Sequence, residues 1–318
     1  MPTKNFRILS LNGGGVRALF QAQYLHSLST RHNLGNFWEE FDLIIGTSAG
    51  AMVAAALWNG IAPDKIAKFL KVNAADVFPG ALWKGIGIYL GTVKVGNSFS
   101  REPLKAKLEE LLGKETLLGQ RNKPYLAITA TELEYSDIRV FSPITAKIDE
   151  NLRLVDVVMA SAALPGAYSH YEIFDPIIQE DRHYIDGGLW ANAPLLAAVV
   201  LAVDRCGVSP KNIRVVSIGT AASQNMTEPD DYKNLIVNSA EFFETLFYIT
   251  LHAAEKSSYE AVLQLIGSKN VLHIDGVTEQ EIKAWEVNDA IKKLPRLADK
   301  IASDSKITNE LKHIIGAK

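Results

Sequence analysis

Apolar positions fall into two regimes along this chain: short runs that are apolar almost throughout, and longer stretches with apolar residues three or four apart. Phe6 to Leu11 (FRILSL), the run from Leu43 to Ile45, Tyr125 to Thr131, Ile138 to Ser142, Tyr171 to Phe174, His183 to Asp186 and Ile213 to Thr220 read as strands. Between them, helical periodicity runs from about Val16 to Thr30, from the Ala-rich stretch after Gly50 to about Trp58, from Pro63 to Val72, from Arg101 to Leu112 and from Leu152 to Ser161. Pro63 with Asp64 is a favourable helix opening, and Pro165-Gly166 stops the last of these helices. From about Asp231 to the end the pattern is largely helical, with the aromatic cluster of Glu241 to Tyr248 reading as a core helix or else a partner- or lipid-binding face. With no long linker and no repeat, one α/β domain with a helical C-terminal portion is the simplest architecture.

Two uncharged stretches, Leu43 to Pro63 and Gly187 to Val203, could pass for membrane spans by hydropathy alone. Glycines, Asn59-Gly60 and Pro194 break them, so each is expected to be a buried strand-turn-helix unit. At 318 residues and 47% apolar composition the chain can bury one large core or two modest ones. A single cysteine, Cys206, excludes an intramolecular disulfide, and no zinc-type Cys/His spacing occurs. The N-terminus enters a strand without a signal-peptide core, so the cytoplasm is the default location. Charge is unevenly spread: Lys65 to Lys123 carries eleven Lys/Arg against five Asp/Glu, net +6 in a chain of net −3. Inside it, Phe78 to Ser100 mixes glycine with large apolar residues, which fits either an irregular buried loop or an apolar flap over a greasy substrate. A basic, Trp-containing segment of this kind suits peripheral contact with an anionic membrane as well as a solvated face.

Three short motifs carry the chemistry. Gly46-Thr47-Ser48-Ala49-Gly50 sits between a strand and a helix, the setting in which a G-x-S-x-G serine is lifted to the apex of a sharp turn, so Ser48 is a candidate nucleophile. Asn12-Gly13-Gly14-Gly15 ends the first strand and opens a helix, leaving backbone N–H groups free for negative charge. That charge is either a phosphate, since Gly13-x-Gly15-x-x-Ala18 also satisfies the dinucleotide fingerprint with an acid near Glu39 to Asp42, or the oxyanion of acyl transfer; a ligand-free turn is the third reading. Asp186-Gly187-Gly188 leaves a carboxylate at the end of a strand, where α/β sheets place their sites.

Taken in this order, the three motifs resemble the signatures of the patatin-like phospholipases: D-G-G-G-x-R-G, G-x-S-x-G and D-G-G/A. The resemblance covers about residues 6–220 and includes Ala160-Ser161-x-Ala163-x-Pro165 ahead of the acid. Asn12 stands where Asp is usual and Ala18 where Gly is usual; neither change removes a backbone N–H. The resemblance implies a three-layer α/β/α fold with a mainly parallel sheet, a catalytic core of about 6–220 and a helical portion of about 231–318 in one domain. It implies a serine lipid acyl hydrolase in which Ser48 attacks the ester and Asp186 accepts its proton, with no histidine required. Gly13, Gly14, Gly15, Arg17 and Ala49 form or support the oxyanion hole. Membrane phospholipid is then the substrate, and no cofactor, metal or nucleic acid is called for. The opening also resembles bacterial antiviral effectors of this family that are activated by a cyclic nucleotide. An oligomer is compatible with this reading. The alternatives are the dinucleotide-binding oxidoreductase and a non-catalytic lipid-binding module. Of the seven histidines, His252, His273 and His313 follow Asp186 in the chain, so a Ser-Asp-His order also stays open.

Overall fold

The computed structural model describes residues 5–78, 100–165, 167–221, 239–280 and 282–316. Most of the flap segment, Gly166 and the start of the region expected to be helical from Asp231 lie outside them, as do the side chains of 239–247 in the aromatic cluster.

The strands are β1 (Phe6–Leu11), β2 (Leu43–Thr47), β3 (Tyr125–Glu132), β4 (Asp137–Phe141), β5 (Tyr171–Asp175), β6 (Glu180–Asp186), β7 (Ile213–Ile218) and β8 (Val271–Ile274). They form one sheet in the order β5-β6-β3-β2-β1-β7-β8, with β4 paired to β3. The β3-β2-β1-β7-β8 portion is parallel, and β4, β6 and β5 are added antiparallel. The continuous apolar character of the central strands has a simple cause: both faces are covered. Leu9, Leu11, Ile44, Leu126, Ile128, Val216 and Ile218 enter one core, while Ile8, Leu43, Ile45, Ala127, Ile213 and Val215 enter the other.

The first core lies under α1 (Ala18–Arg31), α2 (Ala49–Trp58), α3 (Pro63–Val72) and the one-turn α4 (Ala74–Val77). With them pack α5 (Glu102–Leu112), α6 (Leu154–Ser161) and, from the end of the chain, α10 (Val287–Ala302) and α11 (Ser305–Ile315). The second core lies under α8 (Leu195–Asp204) and α9 (Ser239–Ile266). This is the expected three-layer arrangement. No helix among the described residues is long and apolar enough to cross a membrane.

Two expectations need correction. The Gly187–Val203 stretch holds two helices, α7 (Gly188–Ala191) and α8, because Pro194 interrupts the ladder between them. The C-terminal portion is not purely helical: Val271–Ile274 adds β8 in parallel to β7, a four-residue strand too short to stand out from the helical pattern around it.

One feature of the register positions the site. β2 runs parallel to β3 and ends with Thr47 opposite Thr129, while β6 runs antiparallel to β3 and ends with Asp186 opposite Ala130. β4 occupies the other edge of β3 from Ile128 to Glu132. β2 and β6 therefore share one edge of β3 and meet end to end, each terminating on a site residue or one position before it.

Candidate active site

Ser48 alone makes the turn between β2 and α2, at φ 55° and ψ −125°. This conformation costs a non-glycine residue on the order of 1–3 kcal/mol and persists only when its surroundings fix it. They do so at several points. Ser48 N–H donates to Ser161 Oγ at 2.8 Å. Thr47 Oγ1 donates to the Ala191 carbonyl at 2.6 Å and lies 2.7 Å from Thr129 Oγ1. The Ser48 carbonyl accepts the N–H groups of Ala51 and Met52. Glycine is needed two residues on, since a Cβ at Gly50 would lie 2.4 Å from the Leu11 carbonyl oxygen.

Asp186 is 2% exposed. Its Oδ1 accepts the Gly188 N–H at 2.7 Å, and its Oδ2 is buried with no hydrogen bond of standard geometry among the described residues. Burial pushes the carboxyl up to about 6, against the opposing pull of the neighbouring Ser48 hydroxyl and the Gly188 N–H. The carboxylate thus keeps one oxygen fixed and the other unspent, next to a serine hydroxyl, with a proton affinity near neutrality.

The glycine loop divides its N–H groups. Gly13 N–H donates to the Asn192 carbonyl at 2.8 Å and is not available to a substrate, which removes it from the expected set of donors. Among the described residues no acceptor meets the N–H of Gly14, Gly15 or Ala49. Arg17, 4% exposed, explains the orientation of one of them. Its backbone N–H and its Nε both donate to the Gly14 carbonyl, at 3.1 and 3.3 Å. In a trans peptide the following N–H points the opposite way, so Arg17 turns the Gly15 N–H outward. Gly15 itself has φ +57°, and a Cβ there would lie 2.3 Å from the Ala284 carbonyl oxygen. Ala49 N–H opens α2, where the helix dipole adds partial positive charge.

Gly15, Ser48 and Ala49 share a cavity of about 70 Å³ whose walls include Met52, Val77, Phe78, Leu104 and Trp285. A larger cavity of about 530 Å³, against Trp190, Val200 and Ala254, touches neither Ser48 nor Asp186. No histidine lines the smaller cavity among the described residues. His252 pairs with Glu255, His273 with Ser217, and His170 and His183 lie together on the β5–β6 hairpin.

Several supporting residues carry no motif. Asn12 Nδ2 and Asn192 Nδ2 both donate to Glu255 Oε1, at 3.3 and 2.8 Å, tying α9 to the loop. An aspartate at position 12 could not donate here and would set a second carboxylate against Glu255, which accounts for asparagine at this position. The Ala284 carbonyl, far along the chain, accepts Val16 N–H at 2.8 Å. Only contact in the folded chain identifies such residues.

The dinucleotide reading fails on position. Glu39 and Asp42 precede β2 and so lie at the opposite end of the parallel β1–β2 pair from the glycine loop, about one strand length or ~17 Å away. Asp42 Oδ2 is already occupied by the Arg7 N–H at 2.9 Å.

Three bacterial proteins named cGAMP-activated phospholipase are similar to the chain. The one from Escherichia coli (strain TW11681) is 28% identical over 246 residues, covering 70% of this chain and 64% of that protein. The Vibrio cholerae serotype O1 protein is 24% identical over 241 residues (70% and 66%), and that of Pseudomonas aeruginosa (strain BWHPSA011 / Pa011) 29% over 228 residues (68% and 62%). The chain thus spans a little under two thirds of the length of these relatives. The family described as patatin-like phospholipase matches residues 9–199, a span that contains the glycine loop, Ser48 and Asp186 and more than half of the chain, and the chain belongs to that family.

Proposed function

We propose that the chain is a serine lipid acyl hydrolase of the phospholipase A or lysophospholipase type, working through Ser48 and Asp186 without a histidine. The observation that carries this reading is the buried Asp186 carboxyl beside the Ser48 hydroxyl, with an Oδ2 that makes no hydrogen bond of standard geometry among the described residues. Ser48 Oγ attacks the acyl carbonyl of the lipid ester as its proton passes to Asp186. The N–H groups of Gly14, Gly15 and Ala49 take the charge on the carbonyl oxygen, with Arg17 holding the loop; losing one such donor typically costs ~10²–10³ in turnover. When the intermediate collapses, the C–O bond to the leaving alcohol breaks and Asp186 returns its proton to that oxygen. Asp186 then takes a proton from water, whose oxygen attacks the acyl-serine; the fatty acid leaves and Ser48 regains its proton. The apolar wall of Met52, Val77, Phe78 and Leu104 suits the acyl chain.

The exposed lysines Lys65, Lys68 and Lys71 of α3 precede α4 and Phe78 at the cavity wall and support peripheral contact with an anionic bilayer. The names of the similar bacterial proteins support a cyclic dinucleotide as activating ligand. A fluorophosphonate probe tests the core of the proposal. Labelling of Ser48 in the wild-type chain is expected, together with hydrolysis of a fatty-acyl phospholipid, both lost in Ser48→Ala. Hydrolysis that survives in S48A overturns the assignment, and binding of lipid with no labelling and no turnover leaves a lipid-binding module instead.

A further inference from the structure

Away from the cavity, the β5–β6 hairpin gathers side chains that the acyl-transfer chemistry does not use. His170 immediately precedes β5, and Glu172 follows two positions on, so both project from the same face of the strand. Across the hairpin, His183 of β6 is the direct register partner of Glu172. One ligand-type atom from each of the three lies within 4.8 Å of the other two. His170 Nε2 is 3.3 Å and His183 Nε2 3.9 Å from Glu172 Oε1, and the two rings meet edge to face at 4.6 Å. A tetrahedral ion with bonds of about 2.0–2.1 Å to nitrogen and oxygen needs its ligand atoms ~3.3–3.4 Å apart. One pair already has that spacing and another needs about half an ångström of side-chain rotation.

A fourth residue distinguishes this cluster from a chance grouping of surface side chains. Glu134, in the turn between β3 and β4, lies 2.5 Å from His183 Nδ1 and also accepts the His183 backbone N–H at 3.1 Å. A carboxylate on Nδ1 fixes the tautomer that carries its proton there and leaves the Nε2 lone pair for an ion held between it and Glu172. This is the outer-shell arrangement that orients histidine ligands in metal proteins.

We infer that His170, Glu172 and His183 form a binding site for a divalent transition ion of the zinc class, with Glu134 orienting His183 and water completing the coordination. Two imidazoles and one carboxylate favour such an ion over calcium or magnesium, which take oxygen ligands. The ion clamps β5 to β6 three residues before Asp186, and takes no part in acyl transfer.

The test is titration of the full chain, stripped with a chelator, with Zn²⁺ by calorimetry and with Co²⁺ by visible absorption. One ion per chain and a raised melting temperature are expected. H170A and E172Q, both at exposed or half-exposed positions, should each weaken binding at least tenfold, and E134Q by ~10–100-fold, the range typical of an outer-shell carboxylate. His183→Gln should abolish the cobalt spectrum. No saturable binding overturns the site, and so does one-site binding with the same affinity in H170A and E172Q, since the ion is then held elsewhere. The readouts are independent of hydrolysis, so failure here leaves the Ser48–Asp186 reading untouched.

Discussion

At the scale of single residues, Asp186 has the most to report. A carboxyl raised from 3.8 to about 6 by burial keeps its proton in the folded chain over a pH range where the unfolded chain has released it. Stability therefore falls as pH rises from about 4 to 6, and holding the ionised group at neutral pH costs roughly 3 kcal/mol. Asp186→Asn should abolish turnover yet melt several degrees higher than wild type at pH 7.5, with the difference vanishing below about pH 4. Scanning calorimetry across that range checks the sign, and the wild-type pH–rate profile should fall away below about pH 6. A variant that melts lower than wild type at pH 7.5 would show that the charge is compensated. Ser48, Asp186 and the glycine loop were legible in the sequence because each is a short motif fixed by backbone geometry. The expenditure of the Gly13 N–H on Asn192, and the reason for Asn12, were not, because they depend on Asn192 and Glu255, brought in from 179 and 243 positions away.

At the scale of elements, the strands and most helices were legible because the central sheet is buried on both faces and its strands are apolar almost throughout, while most of the helices on it, though not the fully buried α2, keep one polar side. Val271–Ile274 escaped because four residues between helices carry too little pattern. The end-to-end meeting of β2 and β6 could not be read either, since pairing partners are a property of the sheet and not of any strand. This junction is sensitive to a single methyl group. A Cβ at Gly187 would fall 2.5 to 2.6 Å from the Thr129 side-chain oxygen and its carbonyl group. Gly187→Ala should push the end of β6 off β3 and carry Asp186 with it. A fall in kcat of at least tenfold with KM little changed is the expected result in steady-state assays, with near-native secondary structure by circular dichroism; unchanged kcat would mean that the strand end can yield without moving the carboxylate. The hairpin cluster was likewise hidden, because its ligands are joined across strands and follow no linear spacing.

At the scale of the whole molecule, the residues beyond about 220 belong to the same body as the candidate site. β8 completes one edge of the same sheet, α10 packs on α1, and Ala284 reaches the glycine loop. A chain ending at Ile266 loses β8, the carbonyl that accepts Val16 N–H and the Trp285 wall of the cavity. It should retain less than a tenth of wild-type fluorophosphonate labelling, measured by intact mass, and any soluble fraction should be labelled no faster in the presence of lipid vesicles. Labelling at the wild-type rate would place all the determinants of the site before that residue.

The shared edge of β3 acts as a ruler. Because β2 and β6 are both registered on that strand, and stop on its neighbouring residues Thr129 and Ala130, the ends of the two strands, Thr47 and Asp186, are offset by one residue's rise, about 3.3 Å, and Ser48 follows Thr47 directly. Neither the length of the β3–β4 turn nor that of the β5–β6 turn enters this measure. Insertions at 133–136 or 176–179 therefore leave the spacing of the pair unchanged, and the far rim of the sheet is free to vary in length and chemistry while the reacting atoms keep their distance.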